Sequence, residues 1–281
     1  VTEYISPKLY GVIGKPVLHS LSPALHTTAF RHHNIPGILM PWQLEAEELG
    51  SFVRAMQLLD IQGSCITIPH KEDIIPFLDG ITERANKVGA VNTIYRRDGK
   101  LLGENTDVPG FLAPLAANPP HPESRTLILG SGGAARSVIV GLQESGLKDL
   151  SITNINPPSA RRLAAEFNLK LVPWADRLSV GADFVINTTP QGMKGKYEND
   201  NPFPSSGFAG RKGIAYDLIY IPFETLFLRE AEEAGWTAIG GLDMFLSQAD
   251  HQFVLWTGKH IPDVANQLVV DILKKRAGEN S

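Results

Sequence analysis

The sequence is poor in the residues that build metal and redox centres. Its one cysteine, Cys65, excludes an intramolecular disulfide and any CxxC pair. The eight histidines are scattered, and none forms HxxxH or HExxH, so no metal-ligand spacing can be read and no metal is expected. There is no basic excess either. The 26 Lys and Arg stand against 30 Asp and Glu, a formal charge of −4, which argues against a nucleic-acid partner. No apolar stretch approaches the roughly 20 residues that cross a bilayer, so no membrane span is expected. Val1 to Tyr10 lacks the basic-then-apolar layout of a secretory leader. A reducing, cytoplasmic setting is the expectation.

What is present is an ordinary globular mixture. The chain has 281 residues, long for one domain and comfortable for two, and its 43% of hydrophobic residues can fill real cores. Strand-like and helix-like segments alternate, the pattern of a parallel sheet covered by helices. Tyr10 to Gly14 reads as a strand running into a glycine loop. Ser22-Pro23 reads as an N-cap followed by Pro at the first helical position, with the helix running to about Asn34. A second helix is expected over about Glu45 to Leu59, its buried stripe being Leu49, Phe52, Val53, Met56 and Leu59. Ser64 to Ile68 is a strand ended by Pro69, and a helix is expected to start near Lys71. Val91 to Arg96 and Lys100 to Glu104 flank Asp98-Gly99, a hairpin turn signal.

After a helix over about Val108 to Ala116, the run Asn118-Pro119-Pro120-His121-Pro122 reads as a linker. Six strands follow, near Thr126–Leu129, Leu150–Thr153, Lys170–Val172, Asp183–Asn187, Ile214–Leu218 and Trp236–Ile239. They suit a doubly wound nucleotide-binding sheet. The helical tail from about Asp243 to Arg276 is expected to fold back onto the first domain. The expected architecture is therefore α/β with two domains and a cleft between them. Residues 1–107 with 245–281 form a substrate domain, and residues 108–244 form a Rossmann-type dinucleotide domain.

Gly130-Ser131-Gly132-Gly133-Ala134-Ala135 fits GxGxxA between an apolar strand and a helix. The first glycine permits the tight turn and the second lets backbone approach a pyrophosphate. The small third residue lets helix and strand pack closely, and the helix N-terminus offers free N–H groups to the anion. About 20 residues on, an NAD site usually places Asp or Glu for the ribose 2′-hydroxyl. Here Thr153-Asn154-Ile155-Asn156-Pro157-Pro158 carries no acid and no Arg. Asn154 and Asn156 can hydrogen-bond a ribose without charge preference. Arg161 and Arg162 follow on the next helix, and Arg136 could reach the adenine side. With no acid to repel a 2′-phosphate, the reading leans to NADP, with NAD or dual use as the alternative.

In the first half, His19-Ser20-Leu21-Ser22-Pro23 sets two hydroxyls beside a helix start, a place for a small carboxylate. Thr67-Ile68-Pro69-His70-Lys71, Gly89-Ala90-Val91-Asn92-Thr93 and Gly103-Glu104-Asn105-Thr106-Asp107 are unremarkable singly. In order and spacing, with Gly14 to Pro23, Gly130 to Arg136, Asn187 to Met193, Tyr216 to Tyr220, Gly240 to Met244, Gln248 and Trp256 to Gly258, they resemble the shikimate dehydrogenases. The resemblance runs from about Tyr10 to Gly258.

That resemblance implies an enzyme of chorismate and aromatic amino-acid biosynthesis that interconverts shikimate and 3-dehydroshikimate, normally with NADP. Ser20 and Ser22 would hold the substrate carboxylate, and Lys71 and Asp107 would form the catalytic pair. Asn92 and Asp107 would bind ring hydroxyls, with Thr67 and Gln248 adding contacts. Tyr220 would lie near substrate and nicotinamide. Gly130, Ser131, Gly132, Gly133 and Ala134 would wrap the pyrophosphate. Met193, Gly241 and Met244 would line the nicotinamide pocket, and Thr188 and Leu218 would also bind the coenzyme. In NADP-using relatives Asn-Arg-Thr commonly follows the second strand, with another Arg shortly after; here Ile155 and Ser159 stand at those positions. The two serines of the Ser-x-Ser motif resemble the shikimate-preferring members rather than those acting on quinate.

The chemistry suits these groups. Oxidising a secondary alcohol sends a hydride to the nicotinamide and a proton to a base. A lysine can take that role where burial disfavours its ammonium, a neighbouring carboxylate works the other way, and the two would titrate as a coupled pair. The remaining alternatives are an NAD-using or dual-coenzyme shikimate/quinate dehydrogenase and a non-catalytic dinucleotide sensor. A monomer or homodimer is expected, with a cleft that narrows on binding.

Overall fold

A computed structural model describes residues 6–277. Val1 to Ile5, half of the stretch read for a leader, lie outside the described residues. The chain divides into two compact units, one running up to Thr106 and resuming at Gln248, the other Asp107–Ser247.

The first unit is built on a mixed six-stranded sheet. Its strands are β1 (Lys8–Gly14), β2 (Gly37–Gln43), β3 (Gly63–Ile66), β4 (Gly80–Ile81), β5 (Thr93–Arg97) and β6 (Lys100–Glu104), in the order β2-β1-β3-β5-β6-β4. Strands β1, β2 and β3 run parallel, and β5 is antiparallel to both β3 and β6. Asp98 and Gly99 both take positive φ, 51° and 76°. The right-handed twist of the flanking strands favours that turn, and Asp-Gly adopts it readily.

Helix α1 (Ser22–His32) packs on β2, and α2 (Leu49–Leu58) buries Leu49, Phe52, Val53 and Met56. Around them Ile13, Ile66, Ile74, Val91, Ile94 and Leu101 complete a core. The expected stripe fails at its last member. The helix ends at Leu58, Leu59 is 64% exposed, and Ile61 turns back to fill the core instead. Ser22 is the first helical residue rather than its cap, with Pro23 behind it. The helix expected after Pro69 is a series of turns leading into a single 3-10 turn at Ile75–Phe77, and the next α-helix is α3 (Glu83–Val88). On the other side, Tyr10, Phe30, Phe253 and Trp256 form a ring cluster with centroids 4.6–5.1 Å apart, Tyr10 stacked on Phe30 and the other pairs tilted, each pair adding to its area burial through ring contact.

The second unit has six parallel strands, β7 (Thr126–Leu129), β8 (Leu150–Thr153), β9 (Lys170–Leu171), β10 (Phe184–Asn187), β11 (Ile214–Asp217) and β12 (Thr237–Ile239). Their order is β12-β11-β10-β7-β8-β9, the doubly wound order. Strands β7, β8 and β10 are buried along their whole length, as expected of strands covered on both faces. The unit's helices are α4 (Asp107–Leu112), α5 (Gly133–Glu144), α6 (Pro157–Phe167) and α7 (Leu226–Glu233). Two clusters fill the two faces. Ile128, Val138, Ile152, Leu163, Ile186 and Tyr216 lie on one, and Leu127, Leu129, Val185, Phe208, Phe227 and Trp236 on the other. The tail is helical as expected, in α8 (Leu242–Thr257) and α9 (Asp263–Ala277). No described helix is long and apolar enough to cross a membrane.

Candidate active site

In the second unit, strand order reverses beside β7, so the crevice beyond the carboxyl ends of β7 and β10 is where such a sheet takes ligands. The glycine loop sits there. Gly130 has φ +109°, a left-handed value, and a side chain on it would collide with Thr188, so only glycine serves. Thr188 donates its hydroxyl to the Leu129 carbonyl at 2.7 Å and fixes the neighbouring loop against it. Gly132 caps α5 without a side-chain bond, and a Cβ built on it meets nothing within 4 Å. The twelve-residue helix therefore opens with N–H groups beside open space, which fits the pyrophosphate of a dinucleotide.

At the end of β8, Asn154 donates to Ser131 and Ser159, and those hydroxyls are 2.7 Å apart. Asn156 is exposed at the N-cap of α6. Arg136 is not placed as its sequence position led one to expect. Its guanidinium makes a two-pronged ion pair with Glu166 and lies over the Phe167 ring at 5.4 Å. A planar fork matched to a carboxylate and seated on an aromatic face is a settled arrangement. Arg136 fastens α5 to α6 rather than reaching towards adenine.

At the carboxyl ends of β10 and β11 lies a buried polar network that sequence reasoning missed. Asp217 is fully buried. It accepts from Asn187 Nδ2 at 3.0 Å, from the Ile219 N–H at 3.1 Å and from the Thr225 hydroxyl at 2.6 Å. Burial pushes its carboxyl up to about 7, and those three donors work in the opposite direction. Asn187 in turn receives Thr189 and holds the Gln191 carbonyl, so the loop to Met193 is tied to the strand ends. A side chain at Gly241 would strike the Leu218 carbonyl. Tyr220 stacks on Phe245 at 4.9 Å, Met244 is buried, and Met193 is 44% exposed. The signal for the network was an Asn and an Asp each closing a buried strand, where an aliphatic residue would otherwise stand.

In the first unit the hub is Asn92, 2% exposed. Its Oδ1 accepts from the Thr106 N–H at 2.7 Å and the Thr93 hydroxyl at 2.9 Å. Its Nδ2 donates to Thr106 Oγ1 at 2.9 Å and to Gln248 Oε1 at 3.4 Å. One turn along α8, Gln252 donates to the Asn92 carbonyl at 3.3 Å. The neighbouring Val91 N–H donates to the Lys71 carbonyl at 2.8 Å. Lys71, half-buried, is thus held on the loop beside Val91 and Asn92. Thr67 is pinned by its N–H to the Ile13 carbonyl. Ser20 and Ser22 meet at the start of α1, where the Ser20 hydroxyl accepts from the Ser22 N–H at 3.3 Å. Asp107, the first residue of the second unit, opens α4 and is 6% exposed. His26, fully buried, is pushed down to about 4 by burial, so it is neutral at physiological pH. Among the described residues no cluster of His, Cys, Asp and Glu could hold a metal ion.

Residues 12–94 match the model of the shikimate dehydrogenase substrate binding domain. A relative named shikimate dehydrogenase (NADP+), from Pelobacter propionicus, is 54% identical over 95% of this chain and 97% of its own length.

The chain belongs to the shikimate dehydrogenase family.

Solved structures of the family agree. The Thermus thermophilus shikimate 5-dehydrogenase in complex with NADP(H) and shikimate is 34% identical, with a TM-score of 0.84 over 95% of this chain and 99% of that one. The Listeria monocytogenes shikimate 5-dehydrogenase, in complex with shikimate and NAD, is 28% identical, with a TM-score of 0.86 over 96% and 99%. The family likeness thus covers nearly the whole chain.

Proposed function

We propose that this chain is an NADP-linked shikimate dehydrogenase that oxidises shikimate reversibly to 3-dehydroshikimate, with Lys71 and Asp107 as the residues that handle the proton. The observation that carries the activity is the 54% identity to a shikimate dehydrogenase along nearly the whole of both chains.

The second unit is the coenzyme domain. The opening of α5 at Gly132 and the loop Gly130 to Ala134 would hold the pyrophosphate, with Asn154, Asn156 and Ser131 on the ribose side. Thr188, Met193, Leu218, Gly241, Met244 and Tyr220 would line the nicotinamide. When bound, NADP+ supplies the acceptor for the hydride that leaves the carbinol carbon.

The first unit is the substrate domain. Ser20 and Ser22 would grip the carboxylate, a part of the substrate that does not react. Asn92, Gln248 and Thr67 would orient the ring hydroxyls. The bonds that fix Asn92 to Thr93, Thr106 and Gln248 support this, because a pre-set amide loses little freedom on binding. Lys71 and Asp107 then act on the reacting hydroxyl as a coupled pair, its O–H proton passing to them as the C–H hydride departs. General acid–base help of this kind is worth about 10²–10⁴-fold. The paired serines favour shikimate over quinate. The enzyme works as a monomer or homodimer in the cytoplasm, without nucleic acid or membrane.

The test is the nicotinamide absorbance trace with NADP+ and either shikimate or quinate. A steady rate with shikimate, higher than with quinate, is expected. No rate with either would leave a dinucleotide-binding protein without this activity.

A further inference from the structure

What meets the adenosine 2′ position is decided at the end of β8, because in this architecture the residue closing the second strand lies against it. Here that residue is Asn154. Its Nδ2 donates to Ser131 Oγ at 2.6 Å and to Ser159 Oγ at 3.1 Å. Ser159 gives its own proton to the Asn156 carbonyl at 3.0 Å. In the 2.7 Å contact between the two hydroxyls, Ser131 is therefore the donor. Both hydroxyl hydrogens are used within the cluster, and the Asn154 amide is turned towards the two hydroxyl oxygens. What it offers outward is a neutral polar surface with oxygen lone pairs and no charge. A ribose 2′-hydroxyl brings a proton and can donate to such a surface. A 2′-phosphate brings only acceptors and negative charge, and it calls for donors or cations.

The nearby cations are disposed otherwise. Arg136 is committed to Glu166 and Phe167. Ile155, next to Asn154, is apolar and 69% exposed. Arg161 and Arg162 stand exposed on α6, where water and salt screen their charge. Repulsion is missing too, since the first turn of α6 carries no acid.

We propose that the coenzyme site discriminates little between NADP+ and NAD+, because a neutral cluster of Ser131, Asn154 and Ser159 faces the 2′ position, with no cation built into it to hold a phosphate and no acid to reject one. This rests on the dinucleotide reading of the glycine loop. The test is calorimetric titration of the full-length protein with NADP+ and with NAD+ at fixed ionic strength. Dissociation constants within about tenfold of each other are expected, tenfold being the low end of what one charge-assisted bond to phosphate contributes. A preference for NADP+ above that overturns the proposal and leaves the dinucleotide reading standing. Binding of neither coenzyme overturns both.

Two variants sharpen the result. Ile155→Arg, at an exposed position, is expected to raise NADP+ affinity about tenfold or more and to leave NAD+ binding nearly unchanged. An unaltered ratio would show that the end of β8 does not face the 2′ group. Arg162→Ala, three residues along the helix from Ser159, is expected to leave the ratio within about twofold. A tenfold loss of NADP+ affinity would show a phosphate held by Arg162 and overturn the proposal.

Discussion

Replacing Asp217 by Asn changes one buried charge and almost no volume. The carboxyl is fully buried between β10, β11 and the start of α7. Burial lifts its folded-state pKa to about 7, against an ordinary 3.8. Because the folded value is raised, the stability associated with the protonated form is complete below the unfolded pKa and is lost as pH climbs through the folded one. Each pH unit inside that window is worth about 1.4 kcal/mol. Between pH 5 and pH 8 the wild type therefore loses about 3 kcal/mol from this group alone, nearly all of it before pH 7. The Asn variant has no proton to lose. Its Oδ1 can still accept from Asn187 and Ile219, while Thr225 must turn its hydroxyl to accept instead of donate, at a cost of about 1 kcal/mol at every pH. Urea unfolding of both proteins at pH 5 and pH 8 gives the comparison. Whatever the sign of the difference at pH 5, it should shift by about 3 kcal/mol in favour of the variant at pH 8. A difference that stays constant, or moves the other way, would mean that Asp217 is ionised in the folded protein throughout and that the burial argument is wrong.

Other substitutions separate stability from function. Gly132→Ala adds a methyl that meets nothing within 4 Å, at a backbone conformation open to alanine, so the melting temperature should hold while NADP+ binding weakens; a drop in both would mean that the loop, not a ligand, needs the glycine. Ser20→Ala and Ser22→Ala should each raise the KM for shikimate with kcat little changed, and unchanged KM in both would remove the carboxylate assignment. Arg136→Ala should cost about 1–3 kcal/mol of unfolding free energy by leaving Glu166 without its partner and Phe167 without its cover, and it should leave coenzyme affinity within a few-fold. A large loss of affinity with little loss of stability would return Arg136 to the adenine side.

Much of this architecture was legible in the sequence, and the legible parts share a cause. All six strands of the second unit were located because short aliphatic runs bounded by Gly, Asn or Asp leave few alternatives. The Asp98-Gly99 turn was legible because its backbone demands such residues. Strand β2 was passed over because Pro41 interrupts it; β2 lies at the sheet edge, where a missing N–H costs no ladder bond. The helix expected after Pro69 failed because His70 to Ile74 closes a single helical bond and Pro76 follows at once. Leu59 misled because periodicity marks a face and not where the helix stops. In the site, the glycine loop was found by local pattern, and Asn92 only through the family resemblance. The commitment of Arg136 to Glu166 was not, since a pair thirty residues apart depends on how α5 and α6 pack. The Asp217 network needed two strand ends brought side by side, which no single motif displays.

The most direct measurement is a steady-state comparison of wild type and Lys71→Ala with shikimate and NADP+, resolving kcat from KM. If this amine helps carry the proton, kcat falls at least about 100-fold while KM moves little. A variant that turns over near the wild-type rate would take Lys71 out of the chemistry, and the proton-handling pair with it.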